Sequence, residues 1–187
     1  MNWSIGFEPL LSWPWLAAII IPLGMSRTTF RERHPVKAGL PAPMAPSLAG
    51  DVSEAFRWTR SGFQQRDYEY IGHIAPAASA STTSRDMSRY MLMLLNNGTL
   101  DNAVIFGPRA AKAFRPPQRR PPAGVNGWAH GFIVSDLGGH TGYGHNGATL
   151  SFMSNMVVVP DLSLGVFIST NTETGEALAL RLPERLV

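Results

Sequence analysis

The stretch "YGHNGATLSFMSNMVVVPDLSLGVFISTN", Tyr143 to Asn171, decides the fold. Apolar runs alternate in it with the short turn-forming groups "ATL" and "DLS". Such short connections predict antiparallel pairing, because parallel strands need long crossovers. We therefore predict an antiparallel sheet whose strands are Gly127–Ser135, Tyr143–Asn146, Phe152–Val159 and Leu164–Thr170.

The start of this stretch and the residue before it contain an unusual number of glycines. Gly142, Gly144 and Gly147 match G-x-G-x-x-G in letters, but a dinucleotide site needs a helix after the glycines, and here a strand follows. Glycine is unfavourable inside a strand unless a ligand or another backbone approaches closely. The pattern therefore raises the question of what lies beside this strand.

Helices are predicted on both sides of the sheet, because both faces of Met153–Val159 are apolar. The clearest helix is Ser84–Asn97, which begins with the capping pair Thr83 and Asp86 and ends at Asn97-Gly98. A second helix is predicted from about Pro108 to Phe114. The tail "TGEALALRLPERLV" predicts a third helix across the sheet, ended early by Pro183.

Composition excludes several kinds of site. The chain has no cysteine, so thiolate metal sites, disulfides and a cysteine nucleophile are excluded. Its five histidines include no H-x-x-x-H pair, so we predict no metal. Residues 102–135 contain no acid and five basic residues, but "RPPQRRPPAG" lacks interleaved aromatics, so we expect a solvated loop and no nucleic-acid partner.

The first 25 residues are apolar and carry one charge, Glu8. Pro9, Pro14 and Pro22 interrupt the stretch that a membrane helix would need, so we favour packing on the core and keep membrane contact through residues 9–21 as an alternative. No basic residue precedes Arg27, so no signal peptide is recognised and the compartment stays open.

Three blocks resemble the serine β-lactamase-like hydrolases, a superfamily of penicillin-binding proteins, class C β-lactamases, D-aminopeptidases and β-lactamase-fold esterases. "IPLGMSRTTF" (Ile21–Phe30) looks like its PLGM element, and "APAASASTTSRDMSRYMLMLLNNG" (Ala75–Gly98) like its "ST-x-x-DM" helix. Tyr143–Asn171 resembles its final strands. The resemblance implies an α/β fold of the α+β type, with an antiparallel sheet flanked by helices: part of a β-lactamase/transpeptidase-like fold.

The resemblance also implies a site. The superfamily's third motif, Lys-Thr-Gly or His-x-Gly, is matched by His145-Asn146-Gly147. It implies that substrate lies along this strand, with His145 as the catalytic candidate, the backbone N–H of Ala148 as one oxyanion donor, and small residues for close approach. The predicted substrate-binding residues are Tyr143, Asn146, Gly147 and Ala148. Histidine in place of lysine favours esters or amidated peptides over carboxylates.

The superfamily's nucleophile motif, Ser-x-x-Lys, is absent. Lys37 has His34 three residues before it, and Lys112 has Arg109. No tyrosine precedes the PLGM block, where Tyr-x-Asn normally lies. We therefore expect no nucleophile in this chain and a single incomplete domain, 1–187. Its predicted parts are an apolar segment (1–30), an irregular excursion (31–75), a helical part (76–124), and the sheet with a C-terminal helix (125–187).

Two functions stay open at this point. One is a serine hydrolase acting on esters, amides, peptides or β-lactam-like molecules, inactive alone and completed by another chain. The other is a non-catalytic descendant that binds a ligand or partner. Neither needs a cofactor. The low charged content, 16% against about a quarter in typical domains, predicts exposed apolar surface and self-association or membrane contact, with Trp13, Trp15 and Ile19–Ile21 in the contact.

Overall fold

The computed structural model describes residues 16–72, 77–115, 122 and 125–187. A five-stranded antiparallel sheet with strand order β5-β6-β7-β8-β9 forms its centre. The strands are β5 (Gly127–Ala129), β6 (Phe132–Leu137), β7 (His140–Ala148), β8 (Met153–Val159) and β9 (Leu164–Thr170). The predicted antiparallel sheet is confirmed.

One predicted strand is wrong. Gly127–Ser135 is not continuous: it divides into β5 and β6, which pair with each other. The chain reverses at His130 (φ 50°) and Gly131 (φ 89°). Two consecutive positive φ angles form the tight turn that joins neighbouring antiparallel strands.

Helices cover both faces, as predicted. The described helices are α1 (Pro46–Ala49), α2 (Ser84–Leu95), α3 (Pro108–Ala113) and α4 (Glu176–Leu186), with a π-helical turn at Leu16–Ile20. On the α2 face, Met91 and Leu94 pack in one cluster with Tyr143 and Val158. On the α4 face, Val157 and Val159 pack with Leu137. The core therefore consists of two apolar layers separated by the sheet.

The predicted boundaries of α2 are confirmed within two residues. Thr83 is its N-cap, and its Oγ1 accepts a hydrogen bond from the Asp86 amide at 3.2 Å. Asn97 and Gly98 have φ angles of 58° and 96°, which end the helix. A Cβ on Gly98 would lie 2.2 Å from the Phe106 carbonyl oxygen, so this glycine is needed for packing as well.

The prediction that Pro183 ends the C-terminal helix is wrong, because α4 continues to Leu186. Proline has no N–H, so the Ala179 carbonyl four residues earlier loses its helical donor. The Asn155 Nδ2 atom on β8 donates to this carbonyl at 3.0 Å instead. Both Asn155 and Pro183 are buried. A side chain of the sheet thus lets the helix contain a proline.

The segment that we expected to be irregular, 31–75, contains regular structure. Helix α1 lies in it, followed by the hairpin of β1 (Ala55–Thr59) and β2 (Gly62–Arg66). A small hairpin of β3 (Thr99–Leu100) and β4 (Ala103–Val104) follows α2. The division of the chain into four parts stays a prediction.

The described part of the apolar N-terminal segment has a mixed environment. Ile20 is buried in the α2-side cluster, which corrects its predicted place in an exposed contact, whereas Ile21 is exposed. Trp13 and Trp15, with residues 9–15, lie outside the described residues. No described helix has the length and apolar character needed to cross a bilayer.

Candidate functional site

The C-terminal end of β7 extends beyond its neighbour β6. The β6–β7 register runs from Leu137 opposite His140 to Ile133 opposite Gly144. Residues 145–148 pair only with β8, where Asn146 lies opposite Asn155 and Ala148 opposite Met153. Within the described ranges, no strand pairs with residues 145–148 on the other side. This end of β7 therefore has one unpaired side, the open edge, although β7 is an inner strand of the sheet.

The backbone direction at this edge follows from the turn after β7. The Thr149 amide donates to the Phe152 carbonyl at 2.9 Å, on the β8 side. Since successive strand residues direct their backbone groups to alternate sides, the N–H and C=O of Ala148 and of Asn146 point to the open side. The open edge thus offers the donors and acceptors that an added strand would use.

A cleft of about 1130 Å³ adjoins this edge. One wall is His145–Ala148 with the turn after it, and a second wall is the chain leading into α2. The second wall is rich in hydroxyl groups, which come from Ser79, Ser81, Thr82, Thr83 and Ser84. The cleft therefore combines open backbone groups with neutral polar side chains.

His145 stands exposed at the mouth of the cleft. Its Nδ1 contacts the carbonyl oxygen of Asn146, and its ring centroid is 5.9 Å from that of Trp128 in an edge-to-face arrangement. A carbonyl oxygen only accepts, so Nδ1 carries the proton in this contact. In the neutral ring, Nε2 is then a hydrogen-bond acceptor.

Four of the five predicted site residues line the cleft: His145, Asn146, Gly147 and Ala148. Tyr143 does not. Its side chain is 1% exposed, its hydroxyl donates to the Leu94 carbonyl at 3.4 Å, and burial raises the pKa of its phenol. Tyr143 and His145 lie on the same face of β7, two residues apart, but α2 covers the tyrosine. We therefore remove Tyr143 from the proposed ligand contacts.

The glycines of β7 have a different cause from the one that we expected. A Cβ on Gly144 would lie 1.8 Å from the Met156 carbonyl oxygen, and one on Gly142 would lie 2.8 Å from Leu137 Cδ1. These two glycines make room for neighbouring strands rather than for a ligand. At Gly147 the nearest atom is the Ser154 Oγ, at 2.9 Å.

A buried carboxylate links the start of α2 to the segment around Thr28. Asp86 is 3% exposed, and its Oδ2 accepts from the Thr28 hydroxyl at 2.7 Å and from the Arg27 amide at 2.8 Å. Thr28 Oγ1 also lies 2.8 Å from Thr82 Oγ1. The segment after Leu23-Gly24-Met25 is thereby fixed to the start of α2. Sequence reasoning gave Asp86 only a capping role and missed this one, because Thr28 lies 58 residues away in the sequence.

The turn between β7 and β8 is held by residues far away in sequence. The Leu150 amide donates to both carboxylate oxygens of Glu69, at 2.9 and 3.2 Å, and its carbonyl accepts from Arg66 Nη1 at 3.2 Å. Sequence reasoning did not identify these residues, since no local pattern links them.

Charged groups around the cleft are largely engaged. Arg27 pairs with Asp51, and Glu32 accepts from the amides of Ile71 and Gly72, at 2.5 and 3.0 Å. These carboxylates hold loops in place. Over the described ranges, no three histidine or carboxylate side chains converge as metal ligands.

The sequence model of the Beta-lactamase family matches residues 17–186, almost the whole chain. The chain belongs to the β-lactamase family. Its antiparallel sheet with helices on both faces is that family's fold.

Solved structures of the family share this fold. The octameric penicillin-binding protein homologue from Pyrococcus abyssi has a TM-score of 0.70 and 17% identity, covering 92% of this chain and 36% of its own. The D-amino acid amidase from Ochrobactrum anthropi SV3 has a TM-score of 0.65 and 15% identity, covering 94% and 49%. A penicillin-binding protein from Bacillus halodurans has a TM-score of 0.67 and 14% identity, covering 91% of this chain and 48% of its own. This chain thus spans half or less of their length. No curated protein matches it.

This β-lactamase-family chain lacks some of the side chains that the superfamily's motifs supply for catalysis. The sequence contains no Ser-x-x-Lys. Neither Lys37 nor Lys112 lines the cleft. Ser79, the most buried cleft serine, is 7% exposed and donates to the Phe30 carbonyl at 3.1 Å.

Proposed function

We propose that this chain is the ligand-binding part of a β-lactamase-type serine hydrolase, and that the open edge of β7 binds the acyl side of an ester, amide, peptide or β-lactam-like molecule. The observation that carries the proposal is the direction of the Asn146 and Ala148 backbone groups, which face the open side next to the cleft. An extended ligand adds to such an edge through main-chain hydrogen bonds.

The chemistry of acyl transfer fits this edge. The attacked carbonyl gains negative charge on its oxygen, and a fixed N–H donor stabilises that charge. The Ala148 N–H is the donor that the proposal assigns to this oxygen. The adjacent Gly147 has no side chain, so a ligand can lie against the backbone there.

His145 is proposed to contact the ligand through Nε2. With Nδ1 engaged by the Asn146 carbonyl, the neutral ring offers an acceptor to a ligand hydroxyl or amide N–H. A lysine would attract a carboxylate as a fixed positive charge, whereas neutral histidine would not. The proposed preference is therefore for esters and amides over free carboxylates.

The proposal gives this chain no acyl transfer of its own. A serine is a weak nucleophile until a base activates it, and Ser-x-x-Lys is absent from the sequence. Covalent catalysis would need a nucleophile from residues outside this sequence, on the same polypeptide or on another chain. Without that nucleophile the cleft would serve binding alone, which is the second candidate function.

Covalent labelling combined with calorimetry tests the proposal. The chain is incubated with a fluorophosphonate and with a penicillin, and phenylalanine amide is titrated into it. Amino-acid amides lack a free carboxylate and so fit the proposed class, and one structural neighbour was crystallised with L-phenylalanine amide. We expect binding without labelling, and weaker binding in His145→Ala than in the exposed control Thr141→Ala. Labelling of a serine would contradict the claim that this chain performs no acyl transfer of its own. Absence of binding in the wild type and in both variants would contradict the proposed binding site.

A further inference from the structure

The open edge of β7 is bounded at its N-terminal end by β6. Alternation along the strand directs the backbone groups of Gly144, Asn146 and Ala148 to the same side. Gly144 lies opposite Ile133 on β6, so its groups already belong to the sheet. A ligand that extends along the edge towards Gly144 therefore meets strand β6.

Two side chains bound the other end of the edge, in the turn after β7. Leu150 is the next residue in the alternating series. Its N–H donates to both carboxylate oxygens of Glu69, at 2.9 and 3.2 Å, and its C=O accepts from Arg66 Nη1 at 3.2 Å. A carboxylate that accepts and a guanidinium that donates thus bind the backbone of one residue as the peptide groups of a neighbouring strand would. At Leu150 the edge is already occupied.

Glu69 stands where the cleft ends at this turn. It lines the same cleft as Asn146 and Ala148. It also lines a smaller cavity of about 410 Å³, together with Arg66 and Leu150. The carboxylate therefore lies between the proposed ligand cleft and the space beyond the turn.

We propose that Glu69, together with Arg66, is a specificity-determining residue that ends the open edge at Leu150 and restricts the site to short ligands. The inference rests on the proposed function, because it assumes that the ligand pairs with β7. Within the described ranges, Asn146 and Ala148 are the residues left to pair with it. An antiparallel ligand that uses the N–H and C=O of both residues spans about three residues. The favoured ligands are therefore derivatives of single amino acids and of short peptides, and a longer peptide must leave the edge.

Two series of peptide amides test this limit by calorimetric titration into the whole chain. Both begin with phenylalanine amide. One series adds alanines before the phenylalanine and the other adds them after it, so every member has one amino group and no carboxylate. For the wild type we expect affinity to rise up to about three residues and then to level off in both series.

Glu69→Ala should remove the limit in one of the two series. The Leu150 N–H is then free to bind a longer ligand, so the affinity should rise further in the series that runs towards Leu150. We expect a gain of roughly three- to tenfold, because one hydrogen bond is added. In the ¹⁵N-labelled protein, the longer peptides should shift the Leu150 amide of Glu69→Ala and not that of the wild type.

Two control variants separate the contact from the loss of charge. Glu69→Gln removes the charge but keeps an oxygen that can accept from the Leu150 amide, so we expect the wild-type limit. Asp67→Ala removes a nearby carboxylate that lines the smaller cavity and not the cleft, and should also keep the limit. The wild-type series needs no variant, so it decides the matter even where Glu69→Ala folds poorly.

The outcomes distinguish this inference from the proposed function. Affinity that keeps rising in the wild type beyond about three residues, with shifts at the Leu150 amide, would overturn the length limit and leave the proposed function intact. A well-folded Glu69→Ala protein with the same length dependence as Asp67→Ala would also overturn it. If no peptide amide binds the wild type, the proposed function fails and the limit fails with it.

Discussion

The side chain of Asn155 on β8 replaces a missing backbone donor for Ala179 in α4. Its Nδ2 lies 3.0 Å from the Ala179 carbonyl, which Pro183 leaves without a helical partner. This contact fixes α4 to the sheet at a buried position. It also explains how a helix with an interior proline can end the domain.

Asn155→Ala should destabilise the fold by about 1–3 kcal/mol, because the buried Ala179 carbonyl loses the donor that replaces the missing N–H of Pro183. In a Pro183→Ala background, the restored amide at position 183 can bond to Ala179, so the same substitution should cost less. Urea unfolding of the four proteins in this cycle measures the difference. Equal costs in both backgrounds would show that Asn155 does not act through this carbonyl.

Asp86→Ala should cost about 1.5–3 kcal/mol or more, since the Arg27 amide and the Thr28 hydroxyl both lose a buried carboxylate acceptor. Asp51→Ala is the matched control, because Asp51 pairs with Arg27 at the surface. The free energy of unfolding in urea is the measurement. A cost at Asp86 no greater than that at Asp51 would contradict this role of Asp86.

Gly144→Ala should destabilise the protein by more than about 3 kcal/mol, because the new methyl group would meet the backbone of β8. Gly147→Ala meets only the Ser154 hydroxyl, and Gly147→Ala with Ser154→Gly relieves even that contact. We expect the double variant to unfold near the wild-type midpoint while binding phenylalanine amide more weakly. A well-folded Gly144→Ala protein would be inconsistent with the described β7–β8 spacing.

Stability should fall in alkali partly through Tyr90. Burial, with a smaller contribution from nearby Tyr143, raises the pKa of Tyr90 from 10.0 to about 12. The folded state favours the neutral phenol, so its contribution is complete below about pH 10 and is lost as pH rises towards about 12. Tyr90→Phe should flatten this decline. Burial also raises the pKa of Tyr143, so the flattening is partial. The measurement is the unfolding midpoint of the wild type and of Tyr90→Phe as a function of pH. An equally steep decline in both proteins would contradict this account.

The parts of the fold that were predictable from sequence are those set by local patterns. The apolar runs at Met153–Val159 and Leu164–Thr170 predict strands that the structure confirms. Thr83 and Asn97-Gly98 predict the ends of α2, because a capping hydroxyl and a positive-φ pair act within a few residues. The family itself was recognisable from such blocks.

The remaining features depend on partners far away in the chain. The reversal at His130-Gly131 lacks the usual Asn-Gly signal, and the continuation of α4 past Pro183 requires Asn155 from another element. The contact of Glu69 with Leu150 spans 81 residues. Tyr143 and His145 share one face of β7, and only the position of α2 separates a core residue from a cleft residue.

The most direct test of the central claim is a titration of the ¹⁵N-labelled chain with phenylalanine amide, followed by amide chemical shifts along β7. The proposal predicts saturable shifts at Asn146 and Ala148, whose N–H groups face the open edge, and clearly smaller shifts at His145 and Gly147, whose N–H groups face β8. His145→Ala should weaken the binding without removing this alternation. Saturable binding that leaves the amides of Asn146 and Ala148 unshifted would contradict the account, as would the absence of any binding.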